Sequence, residues 1–322
     1  MARVSSKGSI RAGSQRYGFV LLPGFALMSF ASATEPLRAA NLLAGQHLYE
    51  PVFLSIDGAP VASSSGALVP CAPLSETEAL HTLFVCAGGN PADWHLPSLH
   101  AALRAFAVSG MRIGGISGGP YVLAAAGLLD GRDFTVHWEH APALMEAFPS
   151  LSPRQARFVV DGNRITCGGG VAPLDMMHAL IAERMGADFA RRVSDWYLHT
   201  AVAEPTAPQR ASTAERFGVH HPALLAVLDR MEGTIENPIG RDAMAAFAGV
   251  SPRHLDRLFA DHLKRGFAET YRDLRLRHAR RLLQQSPLSV SEIAFATGFS
   301  SAGHFATAYR RAFGHTPRQE RD

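Results

Sequence analysis

A chain of 322 residues, 47% of them apolar, is longer than one average domain and can fill two hydrophobic cores. It has no run of 18 uncharged apolar residues, which argues against a membrane-spanning helix, and no apolar segment near its start that would indicate a secretory signal. The three cysteines, Cys71, Cys86 and Cys167, lack zinc-binding spacing and indicate reduced thiols in a cytoplasmic protein; we expect neither a metal site nor a cofactor.

The first two thirds of the chain alternate buried-strand patterns with helical patterns. Residues 1–16, rich in Ser, Gly and Arg, predict a disordered tail. Strands are expected at 18–22, 51–56, 82–86, 112–116, 134–137, 157–161 and 164–167. Helices are expected at 29–43, 96–108, 120–126, 171–185 and 187–199. This alternation predicts an α/β domain over 17–200, with a parallel sheet covered on both faces.

The composition changes after residue 200. A stretch rich in Pro, Ala, Ser and Thr predicts a linker at 201–221. Almost everything in 222–320 has helical periodicity, at 222–236, 240–248, 252–262, 267–285, 289–296 and 302–312. Residues 222–322 hold 15 Lys and Arg against 11 Asp and Glu, whereas 17–221 hold 12 against 17. A basic helical module beside an acidic one favours DNA binding at one end, although the alternative is chance asymmetry of a solvated surface.

One short pattern occurs twice in the helical module. Residues 244–250 (MAAFAGV) are echoed by 293–299 (IAFATGF), with glycines 49 residues apart, and each copy is followed by a serine and another helix. Two helices joined by a tight glycine turn form a helix-turn-helix. The side chains expected to reach the major groove are Arg253, His254 and Arg257 on the first recognition helix and Gly303, His304 and Thr307 on the second; for any one of them a solvated helix face is the alternative.

The helix between the two copies sets their spacing. Residues 267–285 would span roughly 28 Å at about 1.5 Å per residue, close to one turn of DNA, about 34 Å. One monomer is therefore expected to read two adjacent major grooves. Because the reading residues differ between the copies, the site should be a direct, non-palindromic element.

A glycine-flanked serine follows the predicted strand 112–116. Residues 115–119 (GISGG) satisfy G-x-S-x-G between a strand and a helix, the setting of a nucleophile elbow. His137 could reach Ser117, and Glu139 is close in sequence, so a Ser-His-acid hydrolase is one interpretation. The other is that the small residues let a ligand approach the backbone.

The last third of the chain resembles the AraC/XylS family of transcription regulators. The resemblance rests on residues 248–259, 271–283, 293–301 and 313–317, and it covers about 230–318. It implies two helix-turn-helix units flanking a linker helix, and control of transcription.

Residues 17–198 resemble the class I glutamine amidotransferase-like, PfpI-type fold, a flavodoxin-like sandwich. The motifs are residues 116–131, 135–139 and 166–175. Catalytic relatives have a cysteine at the elbow, where this chain has Ser117. Those relatives also have an acidic residue that supports the cysteine, and this chain has Ser29 at that position. Fusion of this fold to an AraC/XylS module is the layout of the GlxA-like regulators, whose members include regulators answering to arginine and to betaine- or carnitine-type amines.

An effector pocket is therefore expected at the carboxyl ends of the strands around the elbow. The expected lining residues are Glu35, Asn90, Ser117, Tyr121, His137 and Trp138. The aromatic rings could hold a cationic amine and Glu35 could neutralise it. The alternatives are core packing for the aromatic residues and a helix-face salt bridge to Arg38 for Glu35.

The prediction as a whole is a cytoplasmic, one-component transcription factor. Its expected partners are promoter DNA, a small nitrogenous effector, RNA polymerase and a second copy of the chain, and it is expected to activate transcription. An amidase or esterase that uses Ser117 and carries a DNA tether is the main alternative. A DNA-bending protein with an inert first domain is the third.

Overall fold

The computed structural model describes residues 13–76, 80–286 and 288–321, and the chain divides into two units after Gln209. The first unit contains a seven-stranded sheet in the order β5-β2-β1-β6-β7-β9-β8, parallel except for the antiparallel pair β8 and β9. A two-stranded antiparallel ribbon, β3 and β4, lies apart from it. The strands are β1 (Gln15–Leu21), β2 (Tyr49–Ser55), β3 (Val61–Ala62), β4 (Leu68–Val69), β5 (Ala72–Pro73), β6 (Thr82–Ala87), β7 (Arg112–Ser117), β8 (Phe158–Asp161) and β9 (Arg164–Cys167).

Helices cover both faces of this sheet. Alternate side chains of a strand point to opposite faces, so Phe19 and Leu21 enter one core while Val20 and Leu22 enter the other. Every residue of β6 is buried, as expected for a central parallel strand. The helices are α1 (Leu27–Ala44), α2 (Pro97–Val108), α3 (Gly119–Ala125), α4 (Ala141–Ala147), α5 (Ala172–Met185) and α6 (Ala187–Trp196).

Several predicted elements differ from the structure; for example, α6 ends at 196 and not at 199. The expected strand at 134–137 is absent, because the Thr135 N–H donates to the Thr166 hydroxyl instead of joining a strand ladder. Strand β1 begins at Gln15, inside the predicted tail 1–16, of which residues 1–12 lie outside the described residues. The predicted linker 201–221 holds the division between the units, but a helix begins within it at Thr213.

The second unit consists of helices with two separate hydrophobic cores. The helices are α7 (Thr213–Phe217), α8 (Pro222–Glu232), α9 (Arg241–Phe247), α10 (Pro252–Leu258), α11 (Phe267–Gln285), α12 (Val290–Ala296), α13 (Ala302–Phe313) and α14 (Pro317–Arg321). A π turn (Phe259–Leu263) extends α10. Helix α11 contributes to both cores: Phe267 and Tyr271 pack with α8–α10, and Leu276 and Leu283 pack with α12 and α13. No helix of the described ranges is both long and apolar enough to cross a membrane.

The two repeat glycines tolerate a side chain differently. Gly249 and Gly298 both have positive φ, 66° and 73°, but a Cβ would meet nothing within 4 Å at Gly249 and would lie 2.8 Å from the Glu236 carbonyl at Gly298. We expect Gly249→Ala to lower the unfolding free energy by about 1 kcal/mol, the cost of a left-handed alanine, and Gly298→Ala to lower it by about 3 kcal/mol through added clash. Urea unfolding followed by circular dichroism measures both variants, and equal losses would contradict the packing argument.

Candidate functional site

The two recognition helices begin in the same way. The Ser251 hydroxyl accepts from the His254 N–H at 3.2 Å, and the Ser301 hydroxyl accepts from the His304 N–H at 3.2 Å. These caps start α10 and α13 after their glycine turns. Because Leu255 of α10 and Phe305 of α13 are fully buried, each helix presents its opposite face to solvent.

Helix α10 exposes two arginines. Arg253 and Arg257 are exposed, and within the described part of the chain neither forms a hydrogen bond or an ion pair. Both guanidinium groups are thus free to make the bidentate contacts to guanine that arginine favours. His254 is half-buried, and its ring lies 6.2 Å from the ring of His221, so it is less available than the two arginines.

Helix α13 exposes a different set of side chains. His304 and Thr307 are exposed, with Gly303 beside them, but the Thr307 hydroxyl donates to the Gly303 carbonyl at 3.0 Å. The His304 ring packs against the edge of Phe299 at 5.7 Å. The exposed faces of α10 and α13 therefore carry different chemical groups, and the prediction that the two helices read bases differently stays a prediction.

A cleft of about 350 Å³, lined by three arginines and two carboxylates, lies between α11 and α13, and the sequence reasoning missed it. His304 and Thr307 line it together with Arg272 and Arg311, both of which are exposed. Arg311 lies seven residues after His304, so both side chains occupy one helix face. That spacing could have indicated from the sequence that Arg311 lies beside His304. Positive groups beside a recognition helix are suited to phosphate contact.

The serine elbow of the first unit is strained and tightly packed. Ser117 has φ 61°, a left-handed value that is uncommon outside glycine, and 7% of its surface is exposed. A Cβ at Gly119 would lie 2.0 Å from the Val85 carbonyl, and one at Gly118 would lie 2.2 Å from the Trp94 ring. Glycine is therefore required at both positions that follow Ser117. The prediction of an elbow at 115–119 is met by β7 ending at Ser117 and α3 starting at Gly119.

The groups around Ser117 do not form a hydrolase triad. The His137 N–H donates to the Ser117 carbonyl at 3.2 Å, while its ring Nδ1 accepts from the Glu139 N–H at 3.3 Å. Within the described ranges no hydrogen bond joins the Ser117 hydroxyl to the His137 ring. Burial lowers the pKa of His137, and the Glu139 carboxylate opposes that shift. At the position of the supporting acid, the Ser29 hydroxyl accepts from the Gly170 N–H at 2.7 Å.

Most of the predicted effector residues have other partners. Glu35 forms an ion pair with Arg38 at 2.7 Å and also accepts from the Tyr197 hydroxyl. Tyr121 is 8% exposed and packs edge-on against Trp94. Glu35 therefore forms the helix-face salt bridge, and Tyr121 packs in the core, which are the alternatives that the sequence also offered for these two residues. His137 and Trp138 lie together, with ring centroids 5.6 Å apart.

A larger cavity lies beside the elbow, at the carboxyl ends of β1, β2 and β6. It has a volume of about 720 Å³, and of the six predicted residues only Asn90 lines it. Most of the lining is apolar, with two carboxylates, Asp57 and Asp93, and the buried ring of Trp94. No Lys, Arg or His is among the described residues that line it. The sequence did not indicate this cavity, because Asp57 lies in a loop and Asp93 lies in a single 3-10 turn (Pro91–Trp94), and neither residue belongs to a motif.

The fold and the sites define a class of protein, a DNA-binding regulator with a separate α/β unit. The chain matches the family model described as "Helix-turn-helix domain" over residues 244–322 and the DJ-1/PfpI family over residues 16–183. It is 70% identical over 305 residues to the HTH-type transcriptional regulator GlxA of Rhizobium meliloti (strain 1021), covering 94% of each chain. It is 41% identical to the HTH-type transcriptional regulator CdhR of Pseudomonas aeruginosa, covering 96% of this chain and 92% of that protein.

A solved structure agrees with the first unit. The crystal structure of an AraC family transcriptional regulator from Pseudomonas putida matches with a TM-score of 0.53 and 29% identity, covering 57% of this chain and 99% of that chain. The chain belongs to the GlxA-like group of AraC-type transcriptional regulators, with an N-terminal DJ-1/PfpI-like domain.

Proposed function

We propose that this transcriptional regulator activates promoters in response to a small nitrogenous cation bound by its first unit, without chemical turnover. The observation that carries the proposal is the 720 Å³ cavity beside the elbow, with two carboxylates and no basic side chain in its described lining. A mostly apolar cavity with a few polar groups is the usual form of a small-molecule site. Its position at the carboxyl ends of parallel strands is the usual place for one.

The charges of the cavity favour a cation. The Asp93 carboxylate has no partner among the described residues, and the Asp57 carboxylate accepts only from the Ala59 N–H, at 3.0 Å, and the Ser55 hydroxyl, at 3.4 Å. No basic group of the described residues neutralises either carboxylate, so an ammonium or guanidinium group would gain charge-assisted hydrogen bonds there. Asn90 and Trp94 would contact the rest of such a molecule.

The remaining partners follow from the proposed mode of action. An activator at a promoter would contact RNA polymerase, and we propose that two copies act together through the first unit. Both partners are accessible to a cytoplasmic protein. The effector would act by binding more tightly to the conformation that engages DNA, since a ligand shifts a conformational equilibrium only by its differential affinity.

Thermal unfolding of the full chain with L-arginine, glycine betaine and carnitine tests the effector site. We expect at least one of these compounds, each of which carries a cationic nitrogen group, to raise the melting temperature, and the Asp57→Asn, Asp93→Asn double variant to lose that rise. Asp130→Asn, a matched change at an exposed carboxylate outside the cavity lining, should keep it. If no cation shifts the melting temperature, the protein would be better explained as a DNA-bending protein with an inert first unit.

Ser117→Ala separates a sensor from a hydrolase. Alanine meets the same left-handed strain as serine, so the fold should be retained, and we expect an unchanged melting temperature and an unchanged effector shift. Release of p-nitrophenol from p-nitrophenyl acetate should be equally low in the wild type and the variant. Hydrolysis that is present in the wild type and lost in Ser117→Ala would overturn the non-catalytic assignment.

A further inference from the structure

The last residue of the first unit, Gln209, is fixed behind the elbow by its side-chain amide. Its Nε2 lies 3.0 Å from the Val136 carbonyl, 2.6 Å from the Ala156 carbonyl and 2.9 Å from the Thr135 hydroxyl. Its Oε1 accepts from the Trp138 N–H at 2.8 Å. Both ends of the amide are thus hydrogen-bonded, which is unusual for a residue in a stretch whose composition predicted a linker.

The groups that hold this amide also form the walls of the elbow. Segment 135–138 lacks strand pairing, and its His137 N–H donates to the Ser117 carbonyl. The other wall is the 168–170 loop, where a Cβ on Gly169 would lie 2.8 Å from the Ser117 Cβ. The amide touches this loop as well, because a Cβ on Gly168 would lie 2.5 Å from the Gln209 Cδ. Gln209 therefore contacts both walls that flank Ser117.

The chain after Gln209 leads at once into the second unit. Ser212 caps α7 through a complete capping box with Glu215, so two residues, 210 and 211, separate Gln209 from the cap of the first helix of the DNA-binding unit. Upstream, the Ala203 N–H donates to Asp175 at 2.9 Å, and the Pro205 carbonyl accepts from the Arg157 N–H at 2.9 Å. These anchors leave residues 206–209 as the part that can detach when the amide is displaced.

We propose that Gln209 is a latch through which the first unit controls the second. When the amide is bound, the start of the second unit is held; when the elbow walls move, the amide is released and the second unit gains freedom to engage DNA. The latch rests on the proposed function, because the bound effector is the group that moves the elbow walls. Binding at one site then alters affinity at another through a two-state element.

Two variants release the latch from opposite sides. Gln209→Met keeps the length of the side chain and removes its hydrogen bonds. Gly168→Ala leaves Gln209 intact but places a methyl group where the amide lies, and Gly168 does not have a positive φ that would strain alanine. Gln155→Met is the matched control, since Gln155 is exposed and has no hydrogen bond within the described residues.

The test is the affinity of the ligand-free full chain for a duplex that the wild type selects from a random library. We expect Gln209→Met and Gly168→Ala to bind at least about fivefold more tightly than the wild type and Gln155→Met, which is the low end of typical coupling. Equal affinities in folded variants would overturn the latch. If Gln209→Met fails to fold, Gly168→Ala decides the outcome alone.

A second measurement separates the latch from the proposed function. The same affinities are measured with each cation that stabilises the wild type. If an effector changes the affinity of the wild type for the duplex and changes that of Gln209→Met equally, the latch is refuted and the proposed function is retained. Tighter ligand-free binding by both variants, with no response of the wild type to any cation, supports the latch and contradicts the proposed effector.

Discussion

The Arg253→Ala, Arg257→Ala double variant should bind its selected duplex roughly 100-fold more weakly than the wild type, since each bidentate arginine–guanine contact contributes about 1–3 kcal/mol of discrimination. Both guanidinium groups are exposed and without a partner among the described residues, so their removal should leave the fold intact. The base preference should relax in one half of the site only. Selection of binding sequences by the variant, followed by sequencing, measures this directly.

The control for lost charge is Arg191→Ala, Arg192→Ala, which removes two exposed arginines from α6. It should keep both the affinity and the base preference. An equal loss of affinity by the α10 variant on selected and random duplexes would mean that Arg253 and Arg257 contact phosphates and not bases.

The second half of the site should depend on α13. His304 and Thr307 offer fewer donors than the arginines of α10, so we expect weaker base preference there and a larger share of phosphate contact from the cleft that holds Arg272 and Arg311. Loss of a phosphate contact reduces the dependence of affinity on salt, with a slope change of about one per contact. The two halves of the site should therefore respond differently to ionic strength.

Replacing Glu320 should reduce stability as much as Gly298→Ala does. Its carboxylate, with 5% of the side chain exposed, accepts hydrogen bonds from four side chains: Arg280, Gln284, Tyr309 and His315. Glu320→Ala leaves these donors without their common acceptor, and we expect the unfolding free energy to fall by about 3 kcal/mol. Hydrogen exchange of α11 and α13 in the full chain measures the loss.

The same carboxylate predicts a dependence on pH. Burial raises the pKa of Glu320, but the hydrogen bonds from its partners outweigh burial and bring the pKa to about 2. A carboxyl with a lowered pKa stabilises the fold above its ordinary value of 4.5, and this stabilisation is lost as the pH falls from there toward about 2. In Glu320→Ala the loss over this range should be smaller. Glu236→Ala, at an exposed carboxylate, should behave as the wild type does.

Local patterns were sufficient to predict the second unit. The helix expected at 267–285 has the same bounds as α11. Its apolar positions, the glycine before its first turn and the polar residues at its end all indicate these bounds. The repeat located both turn glycines and the capping Ser251, and it left Ser300 and Ser301 as alternatives for the second cap, which is Ser301 in the structure. Most positions predicted to read bases lie on exposed faces, because a helix that buries Leu255 or Phe305 must expose the opposite face.

The first unit could be predicted only in outline. The pattern at 134–137 has the apolar alternation of a strand, but side-chain hydrogen bonds to Thr166 and Gln209 take the place of a ladder. Glu35 was placed in the pocket because of its charge, although Arg38 lies on the same face of α1. The cavity and the Gln209 contacts join residues that are far apart in sequence, and short motifs carry no information about such contacts.

Helix α11 is shared by two hydrophobic cores, and this has a consequence for promoter evolution. Successive residues of an α-helix are rotated by about 100° about the helix axis. Inserting one residue in the middle of α11 would therefore rotate one reading helix away from the DNA face that the other contacts. Substitutions on either reading helix leave α11 unchanged. If α10 and α13 each read one half of a binding site, the two halves can diverge in base sequence independently, whereas the number of base pairs between them is fixed by the length of one helix.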